Sequence, residues 1–559
     1  MFDLKDIRKE KEVEVLLEEE EEELAKILSI KYGVRYINLK TVSINSDALR
    51  IVPEKISRKI KVIAFDILGK KIKLAVIAPT EIETQNYIKE LEEKGYVPNI
   101  YMISHKSLGK AWDRYSEISY TTKTTAGMID ISTENVEKIF DKTKNLDDIK
   151  ITFQELLKSD QPHVISRFFE AILAGALSVK ASDIHIEPEE GSITLRFRLD
   201  GILIVITKFD SKIYKLLISR IKLISGLKLN IVKKPQDGRL SIKLKEKNIE
   251  IRVSVLPGAY GESVVMRLLD PDSISVEIGD LGIEKHLFEI LKREIHRPNG
   301  MILNTGPTGS GKTTSLYAFL KTIHTTENKI ITIENPIEYH LPGIVQTQID
   351  VEKGYTFLEG LKSSLRQDPD VIMVGEIRDS ETAKIAVNSA LTGHLVFSTL
   401  HTNDAAGTFY RLIDLGIQPS IISTAVNIVI AQRLVRKPCQ YCKKEVVIEG
   451  KDKEVISRTI NEIDNVNKYT ENTEKMFIPV GCDKCNNLGY KGRIGIYEAI
   501  LVDAETSKLL EQNPGKDVIK SVFKKQGILS LAQDGIVKVL TGATTLSEVR
   551  RVVDLEETL

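Results

Sequence analysis

The sequence predicts a multidomain α/β protein, and three observations carry that expectation. At 559 residues the chain exceeds what one hydrophobic core holds, because cores stop growing at roughly 250–300 residues. Between 285 and 435, apolar strand-like runs alternate with helix-patterned stretches, the pattern of a mostly parallel sheet covered by helices. Ahead of them, in "SITLRFRLDGILIVI", Ile193, Leu195, Phe197 and Leu199 alternate with Thr194, Arg196 and Arg198, and Asp200-Gly201 supplies a hairpin turn.

Taken in order, the first feature is an unbroken block of glutamates from Glu18 to Glu23, expected to be a solvated helix or a frayed arm. "IKVIAFDILGKKIKLAVIAP" then predicts two strands around a turn at Gly69, and "TEIETQNYIKELEEKGY" a helix ending near Gly95, so residues 1–113 form a small α/β domain. Residues 114–155, rich in Ser, Thr, Lys and Asp, are expected to be a flexible linker. A second α/β domain, 156–280, opens with the helical "VISRFFEAILAGALSV" and continues through the hairpin above and another at "RLSIKLKEKNIEIRVSVLP". The alternating domain covers 285–435, a cysteine-bearing segment 436–500, and a helical region 501–559.

Composition narrows the function. Lysine plus arginine equals aspartate plus glutamate at 79 each, so no whole-chain field favours nucleic acid or an acidic membrane. Apolar runs such as "IISTAVNIVIA" fall short of the roughly 20 residues that span a bilayer, and the charged N-terminus is unlike a secretory signal. A cytoplasmic protein without direct membrane insertion is expected.

"NTGPTGSGKTTS" fits the GxxxxGK[ST] pattern through Gly306, Gly311, Lys312 and Thr313, between the strand "GMILNTG" and a helix. Gly306, Pro307, Thr308, Gly309, Ser310, Gly311, Lys312, Thr313 and Thr314 are the expected cradle for the phosphates of ATP, its backbone N–H groups converging on them, with Thr313 also on Mg²⁺. Acids should emerge from neighbouring strand ends. "VIMVGE" offers Glu376 for the grip on Mg²⁺, and "TIENPIE" offers Glu334 and Glu338, with Glu338 favoured to orient or deprotonate water. His394 and His401 flank one apolar strand and are expected to sense the γ phosphate. Arg252 and Arg267 are either the wet face of a sheet or groups that point at a ligand held by another domain. Four cysteines pair as Cys439-x-x-Cys442 and Cys482-x-x-Cys485, the ligand set of a closed Zn²⁺ site, although the 39 residues between the pairs exceed the usual ribbon spacing.

Together with these, "ASDIHIEP", "PQDGR", "RVSVLPGAYGESVVMRLL", "LRQDPDVIMVGEIRD" and "TGHLVFSTLHTNDA" make residues from about 155 to 500 resemble the secretion ATPases of the type II secretion and type IV pilus assembly branch. The resemblance implies a RecA-like P-loop domain preceded by a PAS-like domain that closes over the nucleotide and contributes arginines, here Arg252 and Arg267. It implies an acidic box at 334–338, Glu376 as the Walker B acid, and His394 and His401 as a histidine box. It also implies a homohexamer at the inner face of the cytoplasmic membrane, acting on a polytopic platform protein and other machine components. Asn335 stands where an aspartate is usual, which leaves Glu334 or Glu338 to serve, and Lys234 stands where arginine is usual. The N-terminal region lacks the arginine-led, leucine-spaced repeat that some relatives use for cyclic di-GMP. A nucleic-acid translocase and a nucleotide-binding scaffold without turnover are the rival readings. Neutral charge and the lack of aromatic-basic stacking motifs weigh against nucleic acid.

Overall fold

The computed structural model describes residues 20–39, 42, 44–68, 70–113, 115, 133–143, 145–158, 164–244, 247–269 and 276–555. The chain divides into an N-terminal unit and a larger unit that runs from Thr133 to the C-terminus.

In the N-terminal unit four strands, β1 (Arg35–Tyr36), β2 (Val62–Leu68), β3 (Lys71–Val76) and β4 (Val97–Met102), form a sheet in the order β1-β4-β3-β2. The antiparallel β2/β3 pair is the expected hairpin, and the helix Ile82–Glu93 lies between β3 and the parallel β4. That helix turns Tyr87, Ile88 and Leu91 into the core, the spacing an amphipathic helix requires. Residues 20–32 are helical, with Glu18 and Glu19 outside the described residues. The expectation of a wholly solvated acidic block is corrected at Glu22, whose carboxylate is half-buried and accepts bonds from Ser104 Oγ, at 2.8 Å, and from the Tyr36 hydroxyl.

The larger unit begins where a linker was expected. Residues 116–132 lie outside the described residues, but Thr133–Lys142 and Leu146–Leu157 are helices. In the second, Asn145 caps the N-terminus by accepting from Asp148 N at 2.8 Å, and Leu146, Ile149 and Phe153 are buried. Phe153 meets Phe168 and Phe197 edge-on, with ring centres 5.4 and 6.5 Å apart. These apolar residues fold the segment onto the helix Val164–Ser178, so it is part of the domain that follows.

That domain is a six-stranded antiparallel sheet of β5 (Asp183–Glu189), β6 (Ser192–Leu199), β7 (Ile202–Phe209), β8 (Gln236–Leu244), β9 (Lys247–Gly258) and β10 (Gly261–Leu269), in the order β7-β6-β5-β10-β9-β8. Asp200 and Gly201, at φ 47° and 89°, make the two-residue turn between β6 and β7.

A seven-stranded sheet follows: β11 (Gly300–Thr305), β12 (Ile330–Glu334), β13 (Val345–Gln348), β14 (Val371–Val374), β15 (Leu395–Leu400), β16 (Val426–Pro438) and, after the small antiparallel pair β17 (Lys444–Val447) and β18 (Lys475–Ile478), β19 (Tyr490–Leu501). The order is β13-β12-β14-β15-β11-β16-β19, parallel except that β19 runs antiparallel to β16. The expected division at 435 and 500 is therefore corrected. β16 and β19 cross both boundaries, and Ile536, Val539 and Val549 from the C-terminal helices share one apolar core with Met301, Val396 and Val429. Burial of a common apolar face joins what local pattern had separated.

Candidate functional site

Parallel strands place their carboxyl ends along one edge, where open α/β sheets bind ligands. The registers Thr305↔Leu400, Val374↔Ser398 and Ile333↔Val374 align that edge, so the loop after β11, Glu376 after β14 and His401 after β15 stand side by side. The loop 306–311 leads into the helix Lys312–Ile323. Gly306 and Gly311 have φ of 148° and 89°, and a Cβ on them would lie 2.6 Å from Gln432 O and 2.8 Å from Gln432 Nε2. Both conformation and close approach thus demand glycine. Lys312 Nζ folds back to donate to Gly306 O at 2.7 Å and Pro307 O at 3.1 Å. Burial lowers its ammonium to about 8, an effect that Glu376 opposes and the positive Arg433 reinforces. Ser310 Oγ is buried without a hydrogen-bond partner. A cation turned onto carbonyls and an orphan hydroxyl, in a glycine loop that opens a helix, fit a polyphosphate.

The three acids have different surroundings. Glu376 is held by Arg378 Nη2 at 2.8 Å and lies 3.6 Å from His401 Nε2. Glu334, 2% exposed, accepts from Thr332 Oγ1 at 2.5 Å, from Gln346 Nε2 at 3.1 Å and from the Tyr317 hydroxyl. Burial raises its pKa against the pull of those three bonds. With its lone pairs engaged inside the fold, Glu334 is a strut between β12 and the helix behind the phosphate loop. Glu338 lies after the turn containing Asn335 and Pro336 and is 31% exposed, so of the two acids in this stretch it alone has room for water.

The two histidines are not equivalent. His401 stands at the carboxyl end of β15, whereas His394 precedes its first residue and donates from Nδ1 to its own chain, at Ser389 O, 3.1 Å away. His394 O accepts from Gly300 N, at the start of β11 rather than its end. Seven residue steps along the strand separate the histidines by roughly 23 Å, so the expectation that both reach the γ phosphate of one site is corrected for His394.

Arg252 projects from β9 and reaches the acidic loop, with Nη1 3.3 Å from Glu338 Oε2 and Nη2 on Ile337 O. Arg267 does not reach it and is paired through Nε with Asp183 Oδ1 at 3.0 Å. The registers place Arg239, Arg252, Arg267, Asp183 and Arg198 in one row across β8, β9, β10, β5 and β6. Asp183 is the one carboxylate in that row of guanidiniums, and Arg198 Nε also reaches it, at 3.2 Å. Arg239 was missed, although it stands in the quoted "PQDGR". Arg433 was missed too, and its signal was a polar pair, Gln432-Arg433, interrupting the apolar run "VNIVIA".

The four cysteine sulfurs lie within 4.8 Å of one another, with Cys439–Cys482 at 3.9 Å and Cys442–Cys485 and Cys482–Cys485 at 3.8 Å. Four sulfurs about 2.3 Å from a central zinc stand about 3.8 Å apart in a tetrahedron. Backbone N–H groups of Gly481, Cys482 and Gly489 donate to these sulfurs at 3.2–3.3 Å, as thiolate ligands require. The residues therefore fit a structural zinc. Cys439 follows β16 and Cys485 precedes β19, so the pairing of those strands brings the two knuckles together despite their spacing.

Phosphate loop, acidic edge and facing arginines define a P-loop nucleotide-binding protein of two facing sheets. The profile of the type II/IV secretion system protein family matches residues 158–551, and that of the MshEN domain matches residues 32–119. The chain is 37% identical to the type IV pilus assembly ATPase PilB of Myxococcus xanthus, over 95% of this chain and 91% of that one. It is 43% identical to type II secretion system protein E of Pectobacterium carotovorum, over 72% and 78%. Among solved structures, the ATPase DotB of Legionella pneumophila superposes with a TM-score of 0.51 at 21% identity, covering 71% of this chain and 98% of that one, a likeness of fold. This chain belongs to the type II/IV secretion system protein family.

Proposed function

We propose that this chain is the ATP-hydrolysing motor of a type IV pilus or pseudopilus, working as a homohexamer at the cytoplasmic face of the inner membrane. It is an ATPase, as its relatives in the family are. The similarity to the pilus assembly ATPase runs through 95% of the chain and that to the secretion protein through 72%, which supports pilus assembly over type II secretion proper. Among the described residues no helix is long and apolar enough to cross a membrane, so coupling to it falls to a polytopic platform protein.

One observation carries the reading: Arg252, on a sheet outside the P-loop fold, touches the loop that holds Glu338. The site is therefore built from two sheets, and its chemistry depends on how they close. Bound Mg-ATP supplies the phosphoryl group and the metal that neutralises its charge. Lys312 exchanges the carbonyls of Gly306 and Pro307 for phosphate oxygens, and Thr313 would ligate the metal, with Glu376 helping to hold it. Glu338 orients the attacking water, Arg252 and Arg267 face the γ phosphate as the sheets close, and His401 reads the occupied site beside Glu376. The energy that moves a partner is the difference in nucleotide contacts between closed and open arrangements.

The test is one preparation measured three ways. Purified protein should hydrolyse ATP, scatter light as a hexamer, and support fibre growth in cells, and Lys312→Ala should abolish the first and third. Hydrolysis by that variant at the wild-type rate, or fibre growth driven by an obligate monomer, overturns the proposal. Stimulation by DNA rather than by a co-purifying membrane protein would instead favour a translocase.

A further inference from the structure

Behind the phosphate loop lies a pair of buried polar residues that the motif chemistry does not use. Gln432 Oε1 accepts from Asn304 Nδ2 at 3.0 Å and from Ser315 Oγ at 2.8 Å, all within the interior. Asn304 belongs to β11 and Ser315 to the first turn of the helix Lys312–Ile323, so one side chain pins both flanks of the loop. The loop itself rests on this strand, since a Cβ on Gly306 would also lie 3.1 Å from Arg433 Nη1.

Arg433 is 8% exposed. Its hydrogen bonds go to two neutral backbone carbonyls, Nη1 to Gln432 O at 3.0 Å and Nη2 to Asn403 O. Asn403 sits two residues after His401, in the turn before the helix Ala405–Asp414. The same turn is tied to β11 by Thr402 N, which donates to Thr305 Oγ1 at 2.9 Å, and by the Thr305–Thr402 hydroxyl pair at 2.7 Å. The guanidinium therefore spans from the underside of Gly306 to the turn that carries His401, which in turn stands beside Glu376. Burial disfavours its charge, and Glu498 and Asp404 attract it only through space. A guanidinium buried on neutral carbonyls is a cost to the fold, so packing alone gives no reason for arginine here.

We propose that Arg433 is a positioning residue for hydrolysis, clamping the His401 turn to the floor of the phosphate loop so that the catalytic edge keeps register with the bound phosphates. The inference rests on reading residues 306–314 as the ATP site. A displacement of about 1 Å in such a constellation costs on the order of a hundredfold in rate.

The experiment compares Arg433→Met and Arg433→Lys with wild type in the full-length chain, measuring kcat, KM, the dissociation constant of a fluorescent ATP analogue, and thermal unfolding. The methionine variant should lose tenfold to a hundredfold in kcat, hold the dissociation constant within threefold, and still fold, melting lower only by what two carbonyls left without their donor cost. Lysine, which keeps the charge and can reach one carbonyl, should recover part of kcat. Wild-type kcat in the methionine variant overturns the proposal. So does a fall in kcat that disappears when rate is counted per folded molecule well below the melting temperature, which marks a merely structural residue, or a loss confined to binding, which marks a phosphate ligand. Should the methionine variant not fold, the lysine variant decides by the same measurements, lowered kcat at retained affinity for and unchanged kcat against. Lys312→Ala, run alongside, separates the two ideas: if it binds and hydrolyses ATP normally, the reading of the loop has failed rather than the role of Arg433.

Discussion

Replacing Glu338 by glutamine tests the chemistry most directly, because it removes a charge and changes little else. Its ion pair to Arg252, at 3.3 Å, is between side chains 24% and 31% exposed, a setting in which such pairs contribute about 1 kcal/mol or less. Arg252 also keeps its bond to Ile337 O, a backbone group that the substitution does not touch. Folding should therefore change by less than about 1 kcal/mol. Loss of a group that activates water costs roughly a hundredfold to ten-thousandfold in rate, or about 2.7 to 5.4 kcal/mol of barrier at 1.36 kcal/mol per decade. The kinetic effect exceeds the structural one several-fold, so phosphate release at saturating Mg-ATP, measured beside nucleotide affinity and melting, resolves them. Glu334→Gln should do the reverse. It weakens charge-assisted bonds from Tyr317, Thr332 and Gln346 in a buried site, at a cost of about 2–3 kcal/mol in stability, while rate per folded molecule holds. The assignment is refuted if Glu338→Gln turns over normally while Glu334→Gln folds normally and does not.

Cys482→Ser should lower both metal content, expected at one zinc per chain, and stability, because the thiolates close the 39-residue excursion between the knuckles; elemental analysis with thermal melts checks this, and metal-free wild type of full stability would refute it. Gly306→Ala drives a Cβ to 2.6 Å from Gln432 O and 2.7 Å from Ser310 Oγ at a φ of 148°, so isothermal titration should find nucleotide binding lost; retained affinity would show that the loop yields where the packing says it does not. Glu548 is held at about 2, below the usual carboxylate range, despite burial, by bonds from Arg436 and Arg551. With the folded value below the unfolded one, its stabilisation is complete above the unfolded pKa and disappears as pH falls toward 2. Denaturant titrations between pH 3 and 7 should show a steeper acid-side decline in wild type than in Glu548→Gln, and parallel curves would contradict the ion-pair account.

Some of this protein was settled by its sequence because the determining interactions are local. The phosphate loop is a run of consecutive residues whose backbone conformation its glycines permit, each cysteine knuckle spans four residues, and the β6/β7 turn needs only Asp200-Gly201. The strands that end in Glu376 and His401 follow from short apolar runs, and parallel pairing then brings those ends to one edge. Strand rise also bears on His394, since two residues at opposite ends of one strand cannot meet the same phosphate, and the geometry needed to see this was present in the sequence.

Other features depend on partners far apart in the chain, and no local pattern encodes them. The sequence offers Glu334 and Glu338 as neighbouring acids with Glu338 favoured, and packing separates them by burying Glu334 against Tyr317 and Gln346 and leaving Glu338 open. Leu146, Ile149 and Phe153 become a helix face when Phe168 and Phe197 stand ready to cover them. Arg433 lies 30 residues from Asn403 and over a hundred from Gly306, and their meeting is decided by the register of β16 against β11. That register is fixed by the packing of apolar side chains on both faces of the sheet, because a one-residue slip would send every side chain of the strand to the opposite face. Sequence specified which groups could do chemistry, and burial, a collective property of the folded chain, decided which of them face the site.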